Sequence, residues 1–141
     1  MADGRTTVAM DGEPAGNPGQ SPGPKETLLA ALAGCTAMDV ASILRKKRQS
    51  ADAYRVDVSA ESARQHPKRF VAVWVEHRVR GEVAAEALRR AIELSATRYC
   101  PVNAMISASC AVEHSYRLTG TDGSESSAVV AITGPEGSQV L

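Results

Sequence analysis

The chain has 141 residues, the length of one ordinary domain and enough to bury a hydrophobic core. Sixteen basic and sixteen acidic residues give a formal net charge of zero, which excludes the global positive field that gathers nucleic acid or an anionic membrane surface. The first residues lack the apolar segment of a secretory signal and the three cysteines are too few for a secreted disulfide scaffold, so a cytoplasmic protein is expected.

The N-terminal part is predicted to be one short strand and a long loop. Residues 5–10, RTTVAM, can form the strand. Residues 11–24 contain four prolines and four glycines, so no regular element fits them.

A long apolar helix follows this loop. Pro24 suits the first helical position and Glu26 favours the positive end of the helix dipole, so the helix is predicted from Pro24 to about Lys47. The helix is apolar nearly all round, with Cys35 in its middle and Asp39 one turn later. Polar residues interrupt the apolar run before it reaches the roughly 20 residues of a membrane span, so a buried helix of a soluble protein is expected.

The next segments are predicted to form a hairpin and two further helices. Residues 54–61 and 70–80 alternate apolar and polar side chains, which indicates two half-buried strands joined through a turn. Apolar residues recur at helical spacing over 82–97, and Pro101 can begin a short third helix.

The alternation over residues 110–118 predicts the last strand of the sheet. Residues 121–141 are interpreted as a tail of uncertain order, in which SSAVVAIT is the one stretch able to form a strand. Residues 1–120 are therefore expected to form a single α+β domain with a mainly antiparallel sheet. One small sheet cannot cover the whole circumference of the long helix, so a homodimer with the apolar helices at its centre is predicted.

The cysteines are the first candidates for chemistry. Free cysteine is usually a buried packing residue, but Asp39 lies one helical turn after Cys35 and needs a polar partner, which indicates a polar pocket beside that thiol. Cys100 stands at the start of a predicted helix, where unpaired backbone amides can stabilise a thiolate. Cys110 is interpreted as packing.

A metal or hydrolase site is disfavoured by the spacing. No C-x-x-C or H-x-x-x-H pair is present, and the three histidines are scattered, so zinc is not expected and no cofactor is predicted. A Cys-His hydrolase lacks a histidine placed beside either thiol. The histidines are interpreted as strand-surface or core residues; they are His66, His77 and His114.

Two stretches, GPKETLLAALAGCTAMDV and IELSATRYCPVNAMI, resemble the OsmC/Ohr family of osmotically inducible and organic-hydroperoxide-resistance proteins. The resemblance covers about residues 5–118 and implies an intertwined homodimer with two active sites at the subunit interface. It also implies a thiol peroxidase that reduces organic hydroperoxides and hydrogen peroxide and is recycled by a dithiol reductant, an antioxidant role in oxidative stress.

The resemblance assigns roles residue by residue. Cys35 is implied to be the peroxidatic cysteine, which forms a sulfenic acid, and Cys100 the resolving cysteine. Glu26 follows Pro24 by two places, the Pro-x-Glu pattern of the OsmC-like branch, and corresponds to the family's acidic residue. Arg5 is the one arginine before the helix and so the candidate for the catalytic arginine, unless another group stabilises the thiolate.

Two alternatives stay open. A non-enzymatic OsmC-like dimer, binding an apolar ligand or sensing redox state, is favoured by the apolar surroundings of Cys35, which would raise a thiol pKa. An acyl-thioester hydrolase has a similar coarse architecture but gives no role to two cysteines in these contexts.

Overall fold

The structure, a computed structural model, describes residues 6–11 and 19–141. Its helices are α1 (Pro24–Lys46), α2 (Ala85–Leu94) and α3 (Pro101–Ser107), and a π-helical turn, Ser95–Tyr99, joins α2 to the residue before α3. Its strands are β1 (Ser50–Ser62), β2 (Phe70–Glu82), β3 (Ala111–Thr119), β4 (Glu125–Gly134) and β5 (Gly137–Val140).

The strands form one five-stranded sheet in the order β1-β2-β3-β4-β5. All neighbouring strands are antiparallel except β2 and β3, which run parallel because α2, the π-helical turn and α3 cross over between them. The predicted α+β class with a mainly antiparallel sheet is confirmed, and so is the β1–β2 hairpin.

Helix α1 begins and ends within one residue of its predicted bounds. Gly23 N–H donates to Glu26 Oε2 at 2.8 Å, so this carboxylate satisfies a backbone donor that the first turn leaves unpaired. One stripe of the helix is buried in the chain, at four-residue spacing; it consists of Leu32, Thr36, Val40 and Leu44.

The opposite face of α1 is apolar and uncovered. We call it the outer stripe: Leu28, Ala31, Gly34, Met38 and Ala41, all exposed. Met38 is 76% exposed and Leu28 44%. By length and composition alone α1 could cross a membrane. Within the fold of this chain, 22% of its apolar 18-residue window is buried. An apolar face of α1, the outer stripe, is therefore left uncovered by the fold of one chain.

Two predictions about the chain ends are corrected. Residues 6–10 form no strand, and the remaining residue of the predicted one, Arg5, lies outside the described residues. The predicted tail forms β4 and β5, so residues 110–118 are not the last strand. Although this segment is rich in Gly, Ser and charged residues, the side chains of Val130, Ala131 and Thr133 are buried and fix β4 against β3.

Candidate functional site

The two cysteine segments converge between α1 and the beginning of α3. The Sγ atoms of Cys35 and Cys100 and a carboxylate oxygen of Asp39 all lie within 4.8 Å of one another. Cys35 is half-buried, and Cys100 is 3% exposed. Segments that stand 65 residues apart in the sequence thus place two sulfurs and one carboxylate in a single pocket, which we call the thiol pocket.

The π-helical turn sets the position of Cys100. Its N–H donates to the Ser95 carbonyl at 2.9 Å, a five-residue step that inserts one extra residue into the helical path. Pro101 then begins α3, and the Asn103 N–H donates to Cys100 Sγ at 3.3 Å. Hydrogen bonds with Cys100 therefore fix the backbone before it, at Ser95, and after it, at Asn103.

Asp39 obtains its polar partner from the same turn. Ser95 Oγ donates to Asp39 Oδ2 at 2.9 Å, and the Thr36 and Ser95 hydroxyl oxygens are 2.9 Å apart. Within residues 6–11 and 19–141, no lysine or arginine lies within ion-pair distance of Asp39. The polar pocket expected beside the Cys35 thiol is present, and it is acidic.

The environment of Cys100 disfavours its thiolate. Burial raises the pKa of Cys100 to about 12, the neighbouring Cys35 adds to the rise, and the hydrogen bond from the Asn103 amide acts in the opposite direction. The amides of the helix start therefore do not suffice to stabilise a thiolate here, contrary to the expectation from the sequence. At neutral pH Cys100 is a thiol.

Behind the thiol pocket, Asn103 connects Cys100 to a buried histidine. Its Nδ2 donates to the Ala96 carbonyl at 2.8 Å and to Thr133 Oγ1 at 3.1 Å, so its Oδ1 must face His114 Nε2, 2.9 Å away. Since Oδ1 only accepts, His114 carries its proton on Nε2 and has a bare Nδ1.

His77 lies beside His114 on the neighbouring parallel strand. Both side chains are completely buried, their ring centroids are 6.0 Å apart, and Tyr54 Oη lies 2.8 Å from His77 Nδ1. His77 Nε2 and His114 Nδ1 have no hydrogen-bond partner among the described residues. Burial lowers the pKa of His77 to about 3, with a smaller contribution from His114, and lowers the pKa of His114 to about 4. Both rings are therefore neutral at physiological pH.

Of the other predicted site residues, Glu26 does not reach the thiol pocket. Glu26 caps the start of α1, nine residues and roughly 13 Å along the helix axis before Cys35. Arg5 lies outside the described residues. Cys110 is buried in the apolar cluster that also contains Cys100, and its Sγ is 3.8 Å from the Ile106 carbonyl oxygen.

The polar partners of the thiol pocket were missed by sequence reasoning. The sequence pattern singles out neither Ser95 nor Asn103. For the histidines a signal existed, because His77 and His114 each occupy an inward position in an alternating strand.

Comparison with known proteins assigns the family. The sequence model of the family described as OsmC-like protein matches residues 16–115. Protein YhfA of Escherichia coli K12 is 36% identical over 113 residues, which cover 79% of this chain and 81% of that protein.

Solved structures share the fold. A hypothetical protein from Aquifex aeolicus has a TM-score of 0.69 at 30% identity, covering 72% of this chain and 76% of that one. A Legionella pneumophila protein, described as an organic hydroperoxide resistance protein OsmC and predicted redox protein, has a TM-score of 0.61 at 15% identity, covering 82% and 84%. With the family match over most of the chain, these relatives lead to one assignment: the chain belongs to the OsmC-like protein family.

Proposed function

We propose that the protein is a thiol-dependent peroxidase that reduces organic hydroperoxides and hydrogen peroxide through Cys35 and Cys100. The observation that supports this best is the convergence of the two sulfurs within 4.8 Å from distant parts of the sequence. A disulfide requires the two Sγ atoms to approach to about 2.05 Å, and we assign this approach to rotation of the two cysteine side chains. The fold is also that of the Legionella protein named for hydroperoxide resistance.

The first step oxidises Cys35. The Cys35 thiolate attacks one peroxide oxygen, the S–O bond forms, the O–O bond breaks, and the other oxygen leaves as an alkoxide that takes up a proton. The products are an alcohol, or water from hydrogen peroxide, and a sulfenic acid on Cys35.

The second step joins the two cysteines. Cys100 attacks the sulfenic sulfur, the S–S bond forms, the S–O bond breaks, and hydroxide leaves as water. Because Cys100 is a thiol at neutral pH, it must lose its proton during the attack. Asp39 is positioned to accept that proton and return it to the leaving hydroxide, and Ser95 orients the Asp39 carboxylate. A cytoplasmic dithiol then reduces the disulfide by exchange.

The disulfide is the direct test of this scheme. One equivalent of cumene hydroperoxide added to the reduced chain is expected to form a Cys35–Cys100 disulfide, identified by peptide mass spectrometry. Cys100→Ser is expected to stop at the sulfenic acid, which dimedone traps on Cys35. Oxidation that spreads equally over all three cysteines in the wild type would contradict the scheme.

We also propose that two copies pair through the outer stripe of α1, which would bury the apolar face left open in one chain. Met38→Glu places a charge on that stripe at a side chain that is 76% exposed. Burying an unpaired carboxylate costs several kcal/mol, so the variant is expected to sediment as a monomer at micromolar concentration while the wild type sediments as a dimer.

A matched control is Val140→Glu, which charges an exposed apolar side chain on β5, away from α1. This variant is expected to remain dimeric. The dimer proposal fails if the wild type is monomeric, or if Met38→Glu dimerises as tightly as Val140→Glu.

A second function, binding of an apolar ligand without catalysis, is favoured by one groove. It has a volume of about 450 Å³ and lies between the start of α1, the β1–β2 turn and α3. Leu28, Phe70, Met105 and Ile106 line its apolar part. Thiol alkylation distinguishes the functions, because a catalytic Cys35 reacts with iodoacetamide at a pH well below that of a free thiol, and an inert one does not.

A further inference from the structure

We infer that the reduced thiol pocket is a binding site for a thiophilic divalent cation of the zinc class, held by Cys35, Asp39 and Cys100. The three residues offer two sulfurs and one carboxylate oxygen, each within 4.8 Å of the other two. This site uses the same cysteines as the proposed peroxidase reaction but does not depend on that reaction taking place.

The spacing suits a tetrahedral ion. Zinc binds sulfur at about 2.3 Å and carboxylate oxygen at about 2.0 to 2.2 Å, so the ligand atoms of a tetrahedral site lie roughly 3.5 to 3.8 Å from one another. Ligand atoms within 4.8 Å converge on such an ion through small side-chain rotations. Three protein ligands leave the fourth position to water, and two thiolates favour zinc over magnesium or calcium.

The ligands stand on ordered elements and already have supporting hydrogen bonds. Cys35 and Asp39 lie one turn apart on α1, so their side chains project from the same face. Ser95 Oγ donates to Asp39 Oδ2 at 2.9 Å, and Asn103 N–H donates to Cys100 Sγ at 3.3 Å. Hydrogen bonds of this kind orient metal ligands and fix the lone pairs that bind the ion.

The charge of the pocket also favours a cation. In the described part of the chain, Asp39 has no lysine or arginine partner within ion-pair distance. Both sulfurs bind a metal ion as thiolates, so the ion offsets the negative charge of two sulfurs and one carboxylate. Zinc fingers and ribbons show Cys-x-x-Cys spacing, which explains why the sequence pattern pointed away from a metal here.

The redox state decides whether the site exists. A disulfide between Cys35 and Cys100 removes two of the three ligands, so the cation binds the dithiol form alone. Oxidation of the metal-bound dithiol by diamide, which takes two electrons from the two sulfurs and is itself reduced to the hydrazine, must release the ion.

The experiment uses the full reduced chain and Co²⁺, with Zn²⁺ measured by competition against a chromophoric chelator. We expect one ion per chain, thiolate-to-cobalt charge-transfer absorption and the intense d–d bands of a tetrahedral site. Cys35→Ser and Cys100→Ser are each expected to lose about half of the charge-transfer intensity, and Asp39→Asn to weaken Zn²⁺ binding on the order of 10-fold or more. Cys110→Ala and Asp52→Asn, the latter at an exposed carboxylate outside the pocket, should bind as the wild type does.

A measurement on the wild type alone guards against variants that fail to fold. Zn²⁺ is expected to slow the alkylation of Cys35 and Cys100, read by mass spectrometry, and to leave the rate at Cys110 unchanged. Cobalt spectra without thiolate bands, equal affinity in Asp39→Asn and the wild type, or binding that survives diamide oxidation would each overturn the site and indicate an adventitious ion only. Peroxide consumption is measured separately with a chelator present. A failure of the peroxidase proposal therefore leaves the metal-binding result valid, and a failure of metal binding leaves the peroxidase result valid.

Discussion

Cys35→Ser is expected to lower the rate of hydroperoxide consumption by on the order of 10³-fold or more in the presence of dithiothreitol. A serine hydroxyl is not ionised at neutral pH and cannot reach the sulfenic oxidation state, so the variant loses the nucleophile rather than a supporting contact. The rate is measured as loss of cumene hydroperoxide per chain under saturating reductant.

Two variants separate this effect from general damage. Cys110→Ala removes the third thiol, which packs in the same apolar cluster, and should keep most of the activity. Cys100→Ser should keep the first turnover and lose the disulfide. Equal, slow consumption by the wild type and Cys35→Ser would contradict the peroxidase proposal and leave ligand binding as the function to test.

Acid is expected to destabilise the fold strongly between pH 6.5 and 4.5, because His77 and His114 are buried without charge. Their pKa values in the folded chain are about 3 and about 4, against 6.5 for the free side chain. Below pH 6.5 the two histidines bind protons in the unfolded chain but not in the folded chain, so the free energy of unfolding falls as pH falls. Above pH 6.5 this contribution is fully present.

The size of this loss of stability follows from the difference in bound protons between the unfolded and the folded chain. Each histidine contributes a slope that approaches about 1.4 kcal/mol per pH unit, so the pair removes roughly 4 to 5 kcal/mol over this interval. That is a large share of the roughly 5 to 15 kcal/mol by which domains are stable. Urea unfolding at a series of pH values measures the slope.

Substitutions can remove the titratable imidazole of each histidine while keeping the hydrogen bond that it makes. His77→Asn places an oxygen where Nδ1 now faces the Tyr54 hydroxyl, and His114→Gln places a donor where Nε2 now faces Asn103. The double variant should show a shallower pH dependence than the wild type. His66→Gln, at an exposed histidine, serves as the control, and if all of these proteins share one slope, the buried pair is not the cause.

The long helix and the hairpin were predictable because local signals agreed with the fold. Pro24 and Glu26 mark the start of α1, and strict alternation marks β1 and β2. Strand β4 was uncertain because Gly, Ser and charged residues surround its apolar stretch, and its burial depends on antiparallel pairing with β3, to which a short turn joins it. The composition of residues 125–134 does not by itself indicate that they pair with β3.

The thiol pocket was predictable only in part. The two cysteines were singled out by their neighbours and by the family resemblance. The roles of Ser95 and Asn103 depend on a π-helical turn, and a five-residue hydrogen-bond step has no sequence signature in a single chain. The Asp39 carboxylate was expected beside Cys35 from its helical spacing, and the arginine candidate, Arg5, lies outside the described residues.

The hydrogen bond between Asn103 and Thr133 has a consequence for how the protein is made. Thr133 belongs to β4, which lies beyond the residues that match the family's sequence model, yet it accepts a hydrogen bond from the side-chain amide of Asn103, the residue whose backbone N–H donates to Cys100 Sγ. During synthesis Cys35 and Cys100 leave the ribosome well before Thr133 does. The nascent chain therefore carries its two thiols for a time without the strand that completes the hydrogen bonds of the Asn103 side chain.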